Sequence, residues 1–270
     1  MPELPEVEVV RSTLEPVLRS LKIKSIQALY PPIIEQPLEE FKRKVENKKI
    51  LRIDRYAKYL IFILEDGAFL SHLRMEGKYF YVEESKATTK HDHVIFHFDN
   101  GYKLVYNDVR KFGRISYRTL EELFQVEPLN RVGIEANASN YDISELLTKL
   151  KHKTIPIKTM LLDQSFISGL GNIYVDEVLY RAKIHPLRKA SSIQNMELEQ
   201  ILKASQWILN QAIEQKGSTI RSYTSSLGVE GNYQNFLEVH TKTICPGCHK
   251  TLEKIKIGGR MSYFCKNCQR

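Results

Sequence analysis

Apolar residues recur at helical spacing at Val7, Val10, Leu14, Val17, Leu18 and Leu21, so the chain is expected to open on a helix. Pro5 suits a first-turn position, Glu6 and Glu8 suit the positive end of the helix dipole, and Pro16 is expected to kink or end the helix. From about residue 23 to 119 the pattern changes to short β-rich runs at 59–64, 68–75, 77–82, 93–98, 102–107 and 114–119. Glu65-Asp66-Gly67 and Asp99-Asn100-Gly101 separate neighbouring runs with hairpin-type turn residues. Strands that follow one another through tight turns predict an antiparallel sandwich or barrel, not a parallel sheet.

After Leu129 the texture shifts, with Gly133, Asn137, Ser139 and Asn140 marking a connecting segment. Helical patterns follow at about 143–151, 156–163, 172–183 and 196–214; in the last, Leu198, Ile201, Leu202, Ile208, Leu209, Ala212 and Ile213 form one apolar face. Such a stripe is core. The expected class is α+β, divided into a β-sandwich domain with a leading helix at 1–130, a linker at 131–138, a helical domain at 139–235 and a cysteine-bearing tail at 236–270. Residues 217–235 are longer than most structureless connections and are expected to form a mobile loop over the substrate. There are no internal repeats or low-complexity tracts.

Hydrophobic residues make up 42% of the chain and charged residues 27%, the balance of an ordinary soluble protein. No signal segment or apolar run of membrane-spanning length is evident, which sets a cytoplasmic location and no membrane partner as the expectation. Forty basic against 32 acidic residues give a net charge of +8. Most of that excess lies at 241–270, where seven basic residues face one acidic residue, a balance of +6. A polyanionic partner is therefore plausible.

The same tail holds all four cysteines, as Cys245-Pro-Gly-Cys248 and Cys265-Lys-Asn-Cys268 with sixteen residues between the pairs. Two such knuckles at this spacing predict one structural zinc held by four thiolates; a closed site of this kind folds the chain and does not activate water. His249 is expected at the surface, since four cysteines complete the coordination. The intervening stretch should form a hairpin displaying Lys254, Lys256 and Arg260, a basic surface suited to phosphates.

The first residues carry the other candidate chemistry. If Met1 is removed, as is usual when a small residue follows it, Pro2 presents a free secondary amine with Glu3 beside it. An N-terminal amine ordinarily titrates at about 7.7 to 8.0, against about 10.4 for lysine, so far more of it is neutral at pH 7. A neutral amine can attack an electrophilic carbon and form an iminium, while a neighbouring carboxyl moves protons. The plainer reading, a helix start, is compatible: the helix could be the rigid mount for the amine.

Taken together, Pro2-Glu3-Leu4-Pro5-Glu6-Val7-Glu8, Ala57-Lys58-Tyr59-Leu60, His72-Leu73-Arg74-Met75, Lys90-His91-Asp92-His93, Asp108-Val109-Arg110-Lys111-Phe112-Gly113, Leu161-Leu162-Asp163-Gln164, Gly169-Leu170-Gly171-Asn172-Ile173-Tyr174 and Gly259-Arg260 resemble the formamidopyrimidine-DNA glycosylases. The resemblance runs the length of the chain. It implies a bifunctional, monomeric enzyme without an organic cofactor, which removes oxidised purines from duplex DNA and then cuts the strand by β,δ-elimination. It also implies a helix-two-turns-helix domain, a zinc finger and a lesion-contacting loop at 217–235. By match, Pro2 is the nucleophile, Glu3 the acid that protonates the sugar ring oxygen, and Glu6 a supporting carboxylate. Lys58 matches a residue of the first elimination and Arg260 one of the second, chiefly by binding phosphate. His91, Arg110, Lys153, Asn172 and Lys158 match DNA contacts. Met75, Arg110 and Phe112 match the wedge that fills the gap left by a flipped base; taken singly, Met75 and Phe112 would read as core residues of adjacent strands.

Two positions depart from the usual pattern: Glu76 stands where a small polar residue is more common, and Lys266 replaces a proline in the last knuckle. Neither is a matched catalytic position. The alternatives are a sister endonuclease VIII type, which prefers oxidised pyrimidines, and a catalytically silent DNA-damage-binding protein. Leu4 argues against the first and intact Pro2, Glu3 and Lys58 against the second.

Overall fold

The computed structural model describes residues 2–218 and 231–270. The chain divides into two compact units, one built from the residues up to Asn130 with the described part of Lys216–Asn232, the other from Arg131–Gln215 and Tyr233–Arg270.

The first unit opens on α1, Leu4–Leu18, whose Leu4, Val7, Val10, Leu14 and Leu18 are all buried. Pro16 sits inside its last turn, and the helix ends two residues later. After β1 (Ile23–Ala28) comes a second helix, α2 (Leu38–Val45), inside a stretch the sequence pattern assigned to strands. Its acids Glu39 and Glu40 lie in the first turn, Lys42, Arg43 and Lys44 in the last, and Phe41 and Val45 face the core.

Seven strands follow: β2 (Arg52–Tyr56), β3 (Tyr59–Ile63), β4 (Ala68–His72), β5 (Lys78–Glu83), β6 (Asp92–Phe98), β7 (Tyr102–Asn107) and β8 (Arg114–Arg118). They form two antiparallel four-stranded sheets, ordered β1-β6-β7-β5 and β2-β3-β4-β8. Alternating residues of both sheets meet in one core, where Phe69 stacks on Phe62 at 4.3 Å and on Phe96 at 5.0 Å between ring centroids. The expected sandwich is present. One boundary differs: β4 stops at His72 instead of 75, because Leu73 to Gly77 turn back through a Gly77 N–H bond to the Leu73 carbonyl.

In the second unit, β9 (Ile134–Glu135) pairs in parallel with β10 (Ile167–Ser168), so the stretch expected as a linker is built into this unit. Helices α3 (Ile143–Leu150), α4 (Ile157–Leu161), α5 (Asn172–Arg181) and α6 (Asn195–Glu214) follow the helical patterns of the sequence. Near the C-terminus β11 (Glu253–Ile257) and β12 (Arg260–Phe264) form the expected hairpin. Its turn glycines, Gly258 and Gly259, take φ of +54° and +80°, backbone that L side chains rarely adopt.

Phe69 is fully buried between two aromatic rings, so Phe69→Ala is expected to destabilise the first unit by about 3 to 5 kcal/mol, read as a lowered urea midpoint by tyrosine fluorescence.

Candidate active site

Pro2 and Glu3 are buried at the head of α1. Glu3 is the N-cap and forms a reciprocal capping box with Glu6: its side chain accepts from the Glu6 N–H, and Glu6 Oε2 accepts from the Glu3 N–H at 2.8 Å. Glu6 Oε1 is used as well, accepting from the Ser218 N–H at 2.8 Å and from its hydroxyl at 3.2 Å. Gly217 lies close against this carboxylate, where an added Cβ would come within 2.9 Å of Glu6 Oε1. Residues 217 and 218 are the foot of the expected lesion loop; residues 219–230 lie outside the described ones.

Lys58 sits in the two-residue turn between β2 and β3, in which Tyr56 pairs with Tyr59, and its side chain is buried. Ala57 takes φ of +52°, a conformation that costs a residue with a side chain about 1 to 2 kcal/mol. Facing this turn, His72 has been pushed down to about 3 by burial, then by the charges of Arg74 and Lys58. Its Nδ1 accepts the Arg74 N–H at 2.9 Å, which leaves the proton on Nε2. His72 is therefore a neutral donor at neutral pH, a feature that sequence reasoning quoted inside a motif without assigning it a role.

Met75, Arg110 and Phe112 come off strands onto two turns. Met75 is 38% exposed and Phe112 48%, so neither belongs to the core. The Arg110 guanidinium lies 4.7 Å from the Phe112 ring centroid. Arg74 and Lys111, next to the apolar residues, both have positive φ, at +53° and +58°. Buried Asp108 holds the second turn: Oδ1 accepts from Arg110 N–H, and Oδ2 from Phe112 and Gly113 N–H, each at 2.9 Å. The Tyr106 hydroxyl, raised by burial and by Asp108 well above the usual tyrosine range, backs both turns. A Cβ on Gly77 would lie 2.3 Å from it and one on Gly113 only 1.6 Å. His91 is half-buried, and its carbonyl accepts from the Asp108 N–H at 3.0 Å, which places it beside the turn of Arg110 and Phe112.

In the second unit, Lys153 is exposed just beyond α3, and Asn172 is the first residue of α5. Asn172 Nδ2 donates to the Met261 carbonyl at 2.9 Å, while its buried Oδ1 has no hydrogen-bond partner among the described residues. Lys158 corrects an expectation. It was matched to a DNA contact, yet it is fully buried, with its ammonium donating to Asp176 Oδ1 at 2.7 Å and to the Met261 carbonyl at 3.3 Å. Asp176 Oδ2 also meets His240 Nδ1 at 2.8 Å and accepts from the Tyr263 N–H at 3.3 Å. No phosphate can reach an ammonium so enclosed, and its place supports a structural role. Arg260, on the hairpin turn, is exposed, as are Lys254 and Lys256.

The four cysteine sulfurs lie within 4.8 Å of one another, with Cys245 and Cys268 at 3.8 Å and Cys248 and Cys265 at 3.5 Å. Tetrahedral zinc with bonds of about 2.3 Å would set sulfurs roughly 3.8 Å apart, so the thiolates fit the ion. His249 is exposed and outside the cluster.

Residues 1–115 match the formamidopyrimidine-DNA glycosylase N-terminal domain, 132–224 the H2TH domain of the same enzymes, and 222–270 a double zinc ribbon. A formamidopyrimidine-DNA glycosylase of Streptococcus pneumoniae is 44% identical across 100% of this chain and 99% of its own length. The chain belongs to the formamidopyrimidine-DNA glycosylase family. One from Lactobacillus helveticus is 43% identical over the same shares. Among solved structures, the family member of Lactococcus lactis superimposes with a TM-score of 0.94 and 40% identity in complex with DNA containing an abasic site, covering 100% of both chains. A mutant of that protein bound to Fapy-dG containing DNA gives 0.94 at 39% identity, again covering both chains in full. The zinc ribbon of the family and the clustered thiolates together establish one structural zinc.

Asp108→Asn replaces an acceptor of three backbone N–H bonds with a group that can accept at one oxygen only. It is expected to cost about 1 to 3 kcal/mol in stability and to weaken capture of a lesion duplex, checked by urea titration and fluorescence anisotropy. The depressed His72 gives a pH dependence. Below an ordinary value near 6.5 the unfolded chain binds a proton that the folded chain refuses, so stability falls as pH drops from about 6.5 towards about 3. His72→Gln is expected to flatten part of that limb in melting curves taken across this window.

Proposed function

We infer that this chain is a base-excision DNA glycosylase and abasic-site lyase acting on oxidised purines, including formamidopyrimidines, in damaged duplex DNA. Its membership of a family whose relatives bear that name supports the reading. So does the observation that carries the mechanism: a proline at the second position, buried immediately before the N-cap Glu3 of α1, whose first turn holds two buried carboxyl residues, Glu3 and Glu6. Among the described residues no helix is long and apolar enough to cross a membrane.

The base must leave the stack to be processed, and extrusion costs a few kcal/mol. Met75 and Phe112 supply apolar bulk for the vacated space, and Arg110 supplies donors for the orphaned partner base. Their turns are stiffened before DNA arrives, by Asp108 and by Tyr106, so little ordering remains for the moment of insertion.

With Met1 removed, the lone pair of the Pro2 nitrogen attacks C1′ of the deoxyribose, and the glycosidic bond breaks with its electrons leaving on the base. Glu3 protonates the ring oxygen as the C1′–O bond opens, giving an iminium between Pro2 and C1′. The iminium acidifies the C2′ proton; its loss expels the 3′ phosphate, and a second elimination expels the 5′ phosphate. Water then cleaves the iminium and returns the amine. Lys58 serves the first elimination. Arg260 binds and orients phosphate in the second, since a guanidinium is a poor proton donor and a good bidentate phosphate ligand. His91, Lys153 and Asn172 hold the backbone of the duplex, with Lys158 acting indirectly by fixing the Met261 carbonyl beside Arg260. Zinc, held by Cys245, Cys248, Cys265 and Cys268, supplies the fold of the ribbon.

Borohydride trapping on a duplex with one 8-oxoguanine opposite cytosine, using protein whose N-terminus has been verified by mass spectrometry, should give a covalent adduct mapped to Pro2. Glu3→Gln should lose excision yet keep lesion binding. Absence of an adduct from correctly processed, lesion-binding protein would sink the lyase reading in favour of a silent binding protein; an adduct formed only with an oxidised pyrimidine would select the sister activity.

A further inference from the structure

The turn that carries Lys58 is gripped by a side chain that no motif singled out. Arg55 Nη1 donates to the Ala57 carbonyl at 3.0 Å, bonding the strained peptide that leads directly into Lys58. Arg55 Nε donates to Glu8 Oε2 at 2.8 Å, and the other oxygen of Glu8 meets Arg11 Nη2 at 2.6 Å. The Arg55 side chain is only 9% exposed and that of Glu8 18%, so the pair is screened little by water. Glu8 stands on α1, the helix whose first residues are Leu4 and Pro5 and whose N-cap is Glu3. One guanidinium therefore connects the helix that bears the amine to the turn that bears the lysine.

We propose that Arg55 is a positioning residue for Lys58, fixing the Ala57-Lys58 turn to α1 so that ammonium and Pro2 amine meet the deoxyribose in one register. The planar fork of arginine suits this task because it donates in two directions at fixed angles, whereas a lysine placed there would reach Glu8 or the carbonyl without setting the angle between them. Misplacement of a reacting group by about 1 Å can cost on the order of 100-fold in rate. The inference rests on the reading of Lys58 as a group of the first elimination.

The test is single-turnover cleavage of a duplex carrying a preformed abasic site, which isolates elimination from base removal, using full-length zinc-loaded protein. Arg55→Lys is expected to slow elimination roughly 10-fold or more, with the half-saturating DNA concentration changed by less than about threefold. Glu8→Gln, which loosens the same grip from its other end, should give a smaller loss in the same parameter. Adding Arg55→Lys to Lys58→Gln should produce no further slowing, because a positioning residue has nothing left to position. A slow Lys58→Gln beside a wild-type rate for Arg55→Lys would overturn the inference alone, as would losses that simply multiply in the double variant. A wild-type rate for Lys58→Gln would overturn the role of Lys58, and the inference with it.

Discussion

The Glu6 carboxylate is shared between two parts of the chain more than two hundred residues apart: one oxygen holds the Glu3 N–H, the other holds Ser218. A buried carboxylate is tolerated only when its lone pairs are filled, and here backbone donors fill them. The consequence is that the first turn of α1 cannot fray, although helix ends ordinarily do. Leu4 and Val7, both fully buried, lock the same turn from its apolar side. An amine at a chain terminus would otherwise be among the most mobile groups of the unit. The same carboxylate fixes the foot of the loop that follows Ser218, so movement at that foot and placement of Glu3 are mechanically linked.

Of the six non-glycine residues with positive φ among the described residues of the first unit, three lie beside candidate site residues. Ala57, Arg74 and Lys111 take left-handed backbone and lie immediately beside Lys58, Met75 and Phe112. Such conformations persist only when their surroundings over-determine them. The restraints are visible: Arg55 on the Ala57 carbonyl, His72 on the Arg74 N–H, and Asp108 on both sides of Lys111. Two of these three turns also rest on one hydroxyl, that of Tyr106, against glycines that leave no room for a Cβ. Met75 and Phe112 thus expose apolar side chains on backbone that is itself restrained. A restrained backbone suits the proposed insertion into a base stack, because less ordering is left for the moment of binding.

Much of this was legible in the sequence, and what escaped did so for identifiable reasons. The β-rich runs and hairpin turns gave the sandwich because alternation and Asp-Gly or Asn-Gly signals are local. Helix α2 escaped because eight residues give barely two turns in which to see a period, although Leu38, Phe41 and Val45 stand at i, i+3 and i+7 and the charge order from Glu39 to Lys44 was a usable signal. The site residues were legible where chemistry fixes the residue type, as with the cysteines and the N-terminal proline. Lys158 was assigned to DNA by its position in the resemblance, while its partner Asp176 lies eighteen residues on and only the fold brings them together. Asp108 and Tyr106 were passed over for the opposite reason. They work through backbone amides and through the space left by Gly77 and Gly113, and neither leaves a mark in side-chain chemistry.

The buried Lys158 and Asp176 pair shows why the second unit needs more than its zinc. Removing two charges from water is costly, and a well-packed apolar pair could stabilise the fold as well or better. What an apolar pair could not do is bind the Met261 carbonyl and the Tyr263 N–H, the backbone groups on either side of buried Ser262 in β12. Zinc closes the far end of the hairpin, and its turn, with two glycines and Arg260, lies at the other end. Lys158, Asn172 and Asp176 fix that end to α4 and α5 through three separate bonds. An arginine proposed to bind phosphate gains from having its backbone fixed in advance, since only its own side chain then has to be ordered. The ion pair is best understood as the means by which the turn is held in place.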